Sequence, residues 1–211
     1  MKRIFITGIG TGIGKTLVSA VVTEALQANY WKPVQAGLEE ATDKETVASL
    51  ISNAGLCMDE AYRLKMPASP HLAARGEGIV ISLDKLMGHP ALQQSKCLVI
   101  EGAGGLMVPL NDTLFTIDFI KKLNASTVIV AQNYLGSINH SLLTAMALQQ
   151  ANIPIAGWIF NGDEHTNEAD IIRWSGIQRI GRIPQTTAPD KTFVQQQAAL
   201  LKPSLEKYFP A

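Results

Sequence analysis

The segment Gly8–Thr16, GIGTGIGKT, has the residue types and spacing best suited to chemistry. Its four glycines let backbone N–H groups approach an anion closely, and a helix starting near Lys15 would point its positive dipole end at the same place. Lys15 could reach terminal phosphates, and the Thr16 hydroxyl could coordinate magnesium. The segment therefore predicts a binding site for a nucleoside triphosphate.

Other interpretations of this segment fit less well. The dinucleotide pattern G-x-G-x-x-G fails in every frame; counted from Gly8, its third glycine falls on Ile13. The strict phosphate-loop spacing misses by one residue, since Gly8 lies six positions before Gly14. A tight strand-to-helix turn with a solvated lysine would need neither four glycines nor the Gly-Lys-Thr ending. These comparisons favour phosphate binding.

Three further charged residues are placed where they could serve the same ligand. Lys32 interrupts an apolar strand; it could snorkel to solvent, but beside bound phosphates it could stabilise a transferring phosphoryl group. Glu101 ends another strand before a glycine-rich loop, which suits either an acid of a magnesium site or a solvated turn residue. Asp43 suits either a helix N-cap or a further magnesium ligand.

Short apolar runs alternate with longer helix-like stretches, as in repeated βαβ units. The predicted strands are Arg3–Thr7, Tyr30–Gln35, Cys97–Glu101, Thr127–Gln132, Ile155–Asn161 and Gln178–Ile183. The predicted helices are Lys15–Ala28, Lys44–Asn53, Ile117–Leu123, Ser141–Ala151, Glu168–Trp174 and Lys191–Tyr208. We predict an α/β fold, a single doubly wound domain over residues 1–211 with a mainly parallel sheet and helices on both faces. Ligands of such sheets bind at the carboxyl ends of the strands.

Composition and charge argue against several other classes of protein. The 211 residues include 18 Lys and Arg and 18 Asp and Glu, so no net charge attracts nucleic acid or an anionic membrane. The apolar runs have the length of strands, and the first residues lack a secretion-signal pattern. Cys57 and Cys97 lack C-x-x-C spacing, which argues against a disulfide framework or zinc site. We expect a cytoplasmic protein that binds neither nucleic acid nor membrane.

Several segments together resemble the dethiobiotin synthetase family, ATP-dependent enzymes of biotin biosynthesis. The Gly-Lys-Thr ending of the phosphate loop is shared by many families, whereas later segments are more specific. These segments are Lys32-Pro33-Val34 with Gly37, Ser69-Pro70-His71, Glu101–Gly105 with Pro109, Leu135–His140, Ala156-Gly157-Trp158, Asn161 and Ile183-Pro184. The matching landmarks span residues 4–185, which is nearly the whole chain.

The resemblance implies an activity, a nucleotide and an assembly. Members of the family convert 7,8-diaminononanoate, carbon dioxide and ATP, with Mg²⁺, into a product with a five-membered ureido ring. A carbamate forms on one amine, and its oxygen attacks the γ-phosphate to give a carbamic–phosphoric anhydride. The second amine then closes the ring and expels phosphate. Family members are homodimers whose substrate reaches the partner subunit, so a homodimer is implied here.

The resemblance also implies roles for individual residues. Lys32 would be the active-site lysine near the carbamate and γ-phosphate, and Lys15 would hold the β- and γ-phosphates as the second catalytic residue. The implied Mg²⁺ ligands are Thr16, Asp43 and Glu101. The implied nucleotide-binding residues are Gly12, Ile13, Gly14, Lys15, Thr16, Leu17, Asp43, Glu101, Gly102, Ala103, Gly104, Asn161 and Pro184. The implied substrate-binding residues are Thr11, Lys32, Ala36, Gly136 and Asn139.

The chain departs from the family pattern at a few positions. Gly10 and Gly12 stand where familiar members carry acids in the phosphate loop, so the preferred nucleotide stays open. Ala36 replaces a frequent hydroxyl residue, which would remove one hydrogen bond to the substrate. Gly162 replaces an acid that usually follows Asn161, beside the implied adenine site.

Two other functions remain as alternatives. A nucleotide-switched ATPase of the partition or septum-placing type would share the sheet, but its phosphate loop carries an additional lysine where this chain has Gly10. A related ligase acting on another diamine or amine would share the same site residues. Assaying turnover with and without a diamine would separate these functions.

Overall fold

A parallel seven-stranded sheet forms the centre of the molecule. The computed structural model describes residues 1–163 and 167–210. Within them the strands are Lys2–Gly8 (β1), Asn29–Trp31 (β2), Val34–Ala36 (β3), Cys57–Met58 (β4), Tyr62–Leu64 (β5), Cys97–Glu101 (β6), Ser126–Gln132 (β7), Ile155–Asn161 (β8) and Arg179–Ile183 (β9). The main sheet has the order β4-β2-β6-β1-β7-β8-β9, and β3 pairs with β5 in a second, small sheet. These described strand pairs are all parallel.

Helices cover both faces of the main sheet. The described helices are Lys15–Leu26 (α1), Asp43–Leu50 (α2), Pro70–Gly76 (α3), Leu83–Met87 (α4), Ala91–Gln94 (α5), Thr116–Leu123 (α6), Ser137–Gln150 (α7), Asn167–Ser175 (α8) and Lys191–Tyr208 (α9), with a 3₁₀ turn at Ala54–Leu56. Helix α1 packs against α2 and α9, whereas α7 packs against α8. From β1 to β2 the chain moves towards one edge of the sheet, and from β7 to β9 it moves towards the other edge. Because the crossovers are right-handed, the group of helices around α1 and the group formed by α7 and α8 lie on opposite faces of the sheet. The predicted doubly wound α/β fold is confirmed.

The central strands are apolar along their length because both of their faces are covered. Ile4, Phe5 and Ile6 on β1 are at most 1% exposed, and β7 is buried over most of its length in the same way. Two of the polar residues predicted for the site, Glu101 on β6 and Asn161 on β8, are the last residues of their strands. The sheet thus brings polar groups from distant parts of the chain to one edge.

The strand predicted at Tyr30–Gln35 is divided into two. Strand β2 ends at Trp31, and β3 begins at Val34 in the small sheet. The division falls at Lys32-Pro33, because proline has no N–H to donate to a ladder of hydrogen bonds. Lys32 therefore lies at the point where the chain leaves the main sheet.

Other elements differ from the sequence-based expectation in their bounds. The helix expected from Ser141 begins at Ser137. Residues 62–95 contain β5 and three short helices, α3 to α5, which are not among the elements predicted from the sequence. Each described helix, over residues 1–163 and 167–210, is too short or too polar to cross a membrane.

Candidate active site

The phosphate loop joins β1 to α1 and is tied down at two points. Gly14 caps α1 with φ at 84°, a left-handed conformation that strains any L side chain. The Lys15 ammonium donates to the Gly10 carbonyl at 2.9 Å. The side-chain amide of Asn161, at the end of β8, donates to the Ile13 carbonyl at 2.9 Å. The backbone of the loop is therefore held in place from within and from across the sheet.

Lys15 carries a charge that the protein compensates only in part. Its side chain is buried in the loop, with 7% of the residue exposed. Burial, and after it the charge of Lys32, lowers the pKa of Lys15 to about 8, although Glu101 and Asp43 act in the opposite direction. An anion in the loop would supply the missing counter-charge. This electrostatic state suits a phosphate ligand.

Three oxygen-bearing side chains meet at the start of α1. Thr16 Oγ1 lies 2.6 Å from Asp43 Oδ1 and 3.0 Å from Glu101 Oε1. Carboxylate and hydroxyl oxygens are suitable ligands for Mg²⁺. Over residues 1–163 and 167–210, no three His, Cys, Asp or Glu side chains converge as a metal site, so a cation here would need further ligands from phosphate and water. The residues fit a Mg²⁺ ion that binds together with a nucleotide.

Lys32 lies between the two carboxylates of this cluster. Its Nζ is 2.6 Å from Asp43 Oδ2 and 3.1 Å from Glu101 Oε1. Burial would by itself lower the pKa of Lys32, but the charges of Glu101 and Asp43 outweigh it and raise the pKa. For Asp43, burial is likewise outweighed by Lys32, and the pKa of this carboxyl is lowered. The cluster therefore holds an ammonium and two carboxylates next to the phosphate loop.

Helix α2 brings Asp43 into this cluster. Thr42 is the N-cap: its hydroxyl accepts from the Glu45 N–H at 3.2 Å, and the Glu45 carboxylate accepts from the Thr42 N–H at 2.8 Å. This reciprocal pair is a capping box, which fixes the first turn of the helix. The capping role considered for Asp43 thus belongs to Thr42. The carboxylate of Asp43 is left to face Thr16 and Lys32.

These groups line a cleft of about 750 Å³ at the edge of the sheet. The predicted site residues that line it are Thr11, Gly12, Gly14, Lys15, Thr16, Lys32, Ala36, Asp43, Glu101, Ala103 and Gly104. Segments from the phosphate loop, the β2–β3 junction, the start of α2 and the end of β6 thus come together in one cleft. Ser69 and Pro70, at the start of α3, form part of the wall.

The other predicted residues lie outside the lining of this cleft. Gly102 accepts from Lys32 Nζ at 3.4 Å, and Asn161 contacts the loop backbone. Ile13 is buried, and Leu17 packs against the core. Pro184, Gly136 and Asn139 are exposed, the last two at the start of α7. The binding roles of all these residues remain predictions.

Tyr30 belongs to the site although the sequence pattern did not indicate it. Its hydroxyl donates to Glu101 Oε2 at 2.9 Å, and both residues are buried. Burial, followed by the charge of Glu101, raises the pKa of this hydroxyl well above its usual range, so that it remains a donor. An aromatic residue in an apolar strand normally indicates a core position. The useful signal was its spacing of two residues from Lys32, which is typical of side chains on one face of a strand.

The sequence has close relatives of known name. Residues 2–191 match a family described as an AAA domain. The ATP-dependent dethiobiotin synthetase BioD of Cytophaga hutchinsonii is 50% identical over 173 residues, 82% of each chain. The proteins of the same name from Rhodopseudomonas palustris (strain BisB18) and Christiangramia forsetii are 47% and 46% identical over 198 and 199 residues. The match to the Rhodopseudomonas palustris protein covers 92% of each chain. The match to the Christiangramia forsetii protein covers 93% of this chain and 94% of the relative.

Solved structures of a different functional class share the fold. The MinC:MinD cell division protein complex of Aquifex aeolicus superimposes with a TM-score of 0.62 at 13% identity, covering 100% of this chain and 97% of that chain. A ParA family ATPase from Chlorobium tepidum gives a TM-score of 0.54 at 13% identity, and the match covers 100% of this chain and 95% of the ATPase chain. At such identity the likeness concerns the fold alone.

The fold alone therefore does not distinguish a synthetase from a partition-type ATPase. The sequence identity to named relatives does distinguish them. Three relatives that are 46–50% identical over most of the chain carry the same name. The glycine-rich loop, Lys32, Asp43 and Glu101 meet in one cleft of this chain. The chain belongs to the ATP-dependent dethiobiotin synthetase family.

Proposed function

We propose that this chain is a ring-closing ligase that converts 7,8-diaminononanoate, carbon dioxide and ATP into dethiobiotin, ADP and phosphate. The observation that carries the proposal is the cleft in which two ammonium groups, of Lys15 and Lys32, stand beside one cluster of oxygens. Phosphoryl transfer depends mainly on positioning and on positive charge around the transferring group, which such a cleft supplies. The names of the relatives support the choice of substrates.

The nucleotide occupies the phosphate loop in this proposal. Backbone N–H groups around Gly12 and Gly14 face the triphosphate, and the Lys15 ammonium leaves the Gly10 carbonyl to contact the β- and γ-phosphates. The base lies towards Asn161 and Pro184. Thr16, Asp43 and Glu101 would hold Mg²⁺, which when bound neutralises part of the phosphate charge.

The substrate provides the nucleophiles. One amine adds to carbon dioxide and loses a proton, which gives a carbamate. A carbamate oxygen attacks the γ-phosphorus while the bond to the β–γ bridging oxygen breaks, and ADP leaves. The other amine attacks the carbonyl carbon of the mixed anhydride, loses a proton and displaces phosphate. Lys32 orients the carbamate and, with Lys15, stabilises the negative charge of the transferring group.

The rest of the substrate extends from the cleft to a second subunit. Thr11 and Ala36 lie in the wall of the cleft and would contact the diamine end. Gly136 and Asn139, at the start of α7, would hold the carboxylate of the partner's substrate, since a helix N-terminus favours an anion. The functional unit is then a homodimer. We place it in the cytoplasm, where ATP and bicarbonate are available.

Phosphate release with ATP, Mg²⁺ and bicarbonate, in the presence and absence of 7,8-diaminononanoate, tests the proposal. We expect release that depends on the diamine and equals the dethiobiotin measured by mass spectrometry. ATP turnover indifferent to the diamine would instead support a partition-type ATPase, which the shared fold permits. Diamine-dependent phosphate release with a different product would support the related amine ligase.

Replacing Lys32 by alanine gives the matching residue-level prediction. We expect kcat to fall by about a hundredfold or more, because the group that faces the transferring phosphoryl is lost. The affinity for ATP should change less. Lys202→Ala, which removes an exposed lysine from α9, serves as the control and should leave kcat unchanged. A normal kcat in the Lys32 variant would contradict the assigned role.

A further inference from the structure

The two oxygens of the Glu101 carboxylate have different partners. Oε1 lies 3.0 Å from Thr16 Oγ1 and 3.1 Å from Lys32 Nζ, on the side of the phosphate loop. Oε2 accepts from the Tyr30 hydroxyl at 2.9 Å and has no other side-chain partner in the described part of the chain. The carboxylate is 1% exposed, so water cannot replace a lost donor easily. Its orientation therefore depends on Tyr30.

The sheet explains why a tyrosine can make this contact. Tyr30 on β2 is in register with Val99 on β6, and Glu101 lies two residues farther along β6. Two residues of strand span about 6–7 Å, a distance that the phenol ring bridges and a serine or threonine hydroxyl would not. Trp31, the next residue, instead stacks on His89. Tyr30 is thus the residue of β2 that contacts the site.

We propose that Tyr30 is a positioning residue that holds Glu101 Oε2, so that Oε1 is presented to the cation that accompanies the nucleotide. The inference rests on the proposed function, because it concerns the same site. A charge-assisted hydrogen bond between buried groups restricts rotation of the carboxylate. Without the hydrogen bond from Tyr30, the Glu101 carboxylate can rotate so that both of its oxygens face the Lys32 ammonium. The nucleotide would then bind as before, but its dependence on Mg²⁺ would change.

Tyr30→Phe removes the hydroxyl and keeps the ring. We expect the Mg²⁺ concentration that half-maximally strengthens ADP binding to rise about tenfold, the scale of one hydrogen bond to a charged group. ADP affinity without Mg²⁺ should stay within about twofold. Both quantities are measured by calorimetry with ADP at a series of Mg²⁺ concentrations. A general loss of structure would weaken ADP binding under both conditions.

Tyr62→Phe is the matched control. Tyr62 is also buried, and its hydroxyl accepts from the Ser82 N–H at 2.8 Å, away from the Glu101 cluster. This variant should leave the Mg²⁺ dependence unchanged. Equal shifts in the two variants, or a wild-type chain that binds ADP without regard to Mg²⁺, would overturn the inference.

If Tyr30→Phe folds poorly because it leaves the buried Glu101 carboxylate without a donor, a second pair of variants in which residue 101 is uncharged avoids that penalty. Glu101→Gln removes the buried charge, and Tyr30→Phe added to it should shift the Mg²⁺ dependence less than about twofold further. A further tenfold shift would show that Tyr30 does not act through Glu101. If the wild-type chain shows Mg²⁺-dependent binding but makes no dethiobiotin, the proposed function fails while this inference is still decided by the titrations.

Discussion

Gly14 and Asn161 are far apart in the chain but in contact at the phosphate loop. A Cβ atom on Gly14 would clash with Asn161 Nδ2, so that the amide could not stay where it is. That amide holds the Ile13 carbonyl. The absence of a side chain at residue 14 therefore serves two needs, the left-handed backbone and the close approach of β8 to the loop.

Gly14→Ala and Gly12→Ala separate these two needs. Both glycines have positive φ, but a Cβ on Gly12 has nothing within 4 Å. We expect Gly12→Ala to lower the free energy of unfolding by about 1–2 kcal/mol, the cost of a left-handed alanine. Gly14→Ala should lose about 1–2 kcal/mol more, because the Asn161 hydrogen bond breaks in addition. Urea denaturation without nucleotide measures the difference, and equal losses would contradict it.

Individual site residues were predictable from sequence to different degrees. Lys15, Lys32 and Glu101 were identified because a charged side chain at a glycine-rich turn or in an apolar strand is unusual. Tyr30 was not identified, because the sequence around a tyrosine in an apolar strand does not show what its hydroxyl contacts. The Tyr30 hydroxyl contacts a carboxylate, whereas the Tyr62 hydroxyl contacts a backbone N–H group. Its role depends on the neighbouring strand β6, which adjacent residues do not specify.

At the level of single elements, the capping box of α2 links helix stability to the site. Thr42 and Glu45 fix the first helical turn, in which Asp43 is the first residue. An error in the start of this helix would displace the Asp43 carboxylate from Thr16 and Lys32. The site therefore depends on a local interaction that contains no site residue.

Thr42→Ala should consequently affect both stability and the site. We expect the free energy of unfolding to fall by about 1 kcal/mol, the usual cost of losing an N-cap, and more Mg²⁺ to be needed for ADP binding. Asp190→Ala removes the N-cap of α9, whose side chain accepts from the Phe193 N–H at 2.7 Å. It should cost similar stability and leave the Mg²⁺ requirement unchanged. Identical Mg²⁺ titrations in the two variants would disprove the link.

The type and order of the long elements were predictable, whereas some bounds were not. The alternation of short apolar runs with longer helix-like segments located the long strands and α1, because these runs and segments differ clearly in length. The start of α7 at Ser137 was missed since Gly136, with φ at 99°, supplies the cap without any capping side chain. The short elements between residues 62 and 95 have too few residues to show a period.

At the scale of the whole molecule, the region around α7 exposes several large apolar side chains. Leu135 is fully exposed, and Leu143, Met146 and Met107 are each more than half exposed. Apolar groups gathered on one surface commonly mark an interface. They lie near Gly136 and Asn139, which our proposal assigns to the substrate of a second subunit.

Leu143→Asp tests the proposed homodimer. We expect the wild-type chain to sediment at twice the 22.8 kDa of one chain and the variant to shift towards a single chain, because a carboxylate would be buried in the interface. Leu200→Asp, at an exposed leucine of α9, is the control and should sediment as the wild type does. Wild-type protein that sediments as a single chain would contradict the proposal.

The packing of α9 on α1 has a consequence for biosynthesis. The ribosome completes the phosphate loop and α1 before the other described helices, whereas α9 is the last described helix to be made. Until then, the surface of α1 that α9 covers is open to solvent, and a nascent chain exposes apolar residues to aggregation and to chaperones. The parallel sheet adds to this delay, since its neighbouring strands are distant in sequence. The phosphate loop is therefore synthesised well before α9, the helix that completes the support of α1.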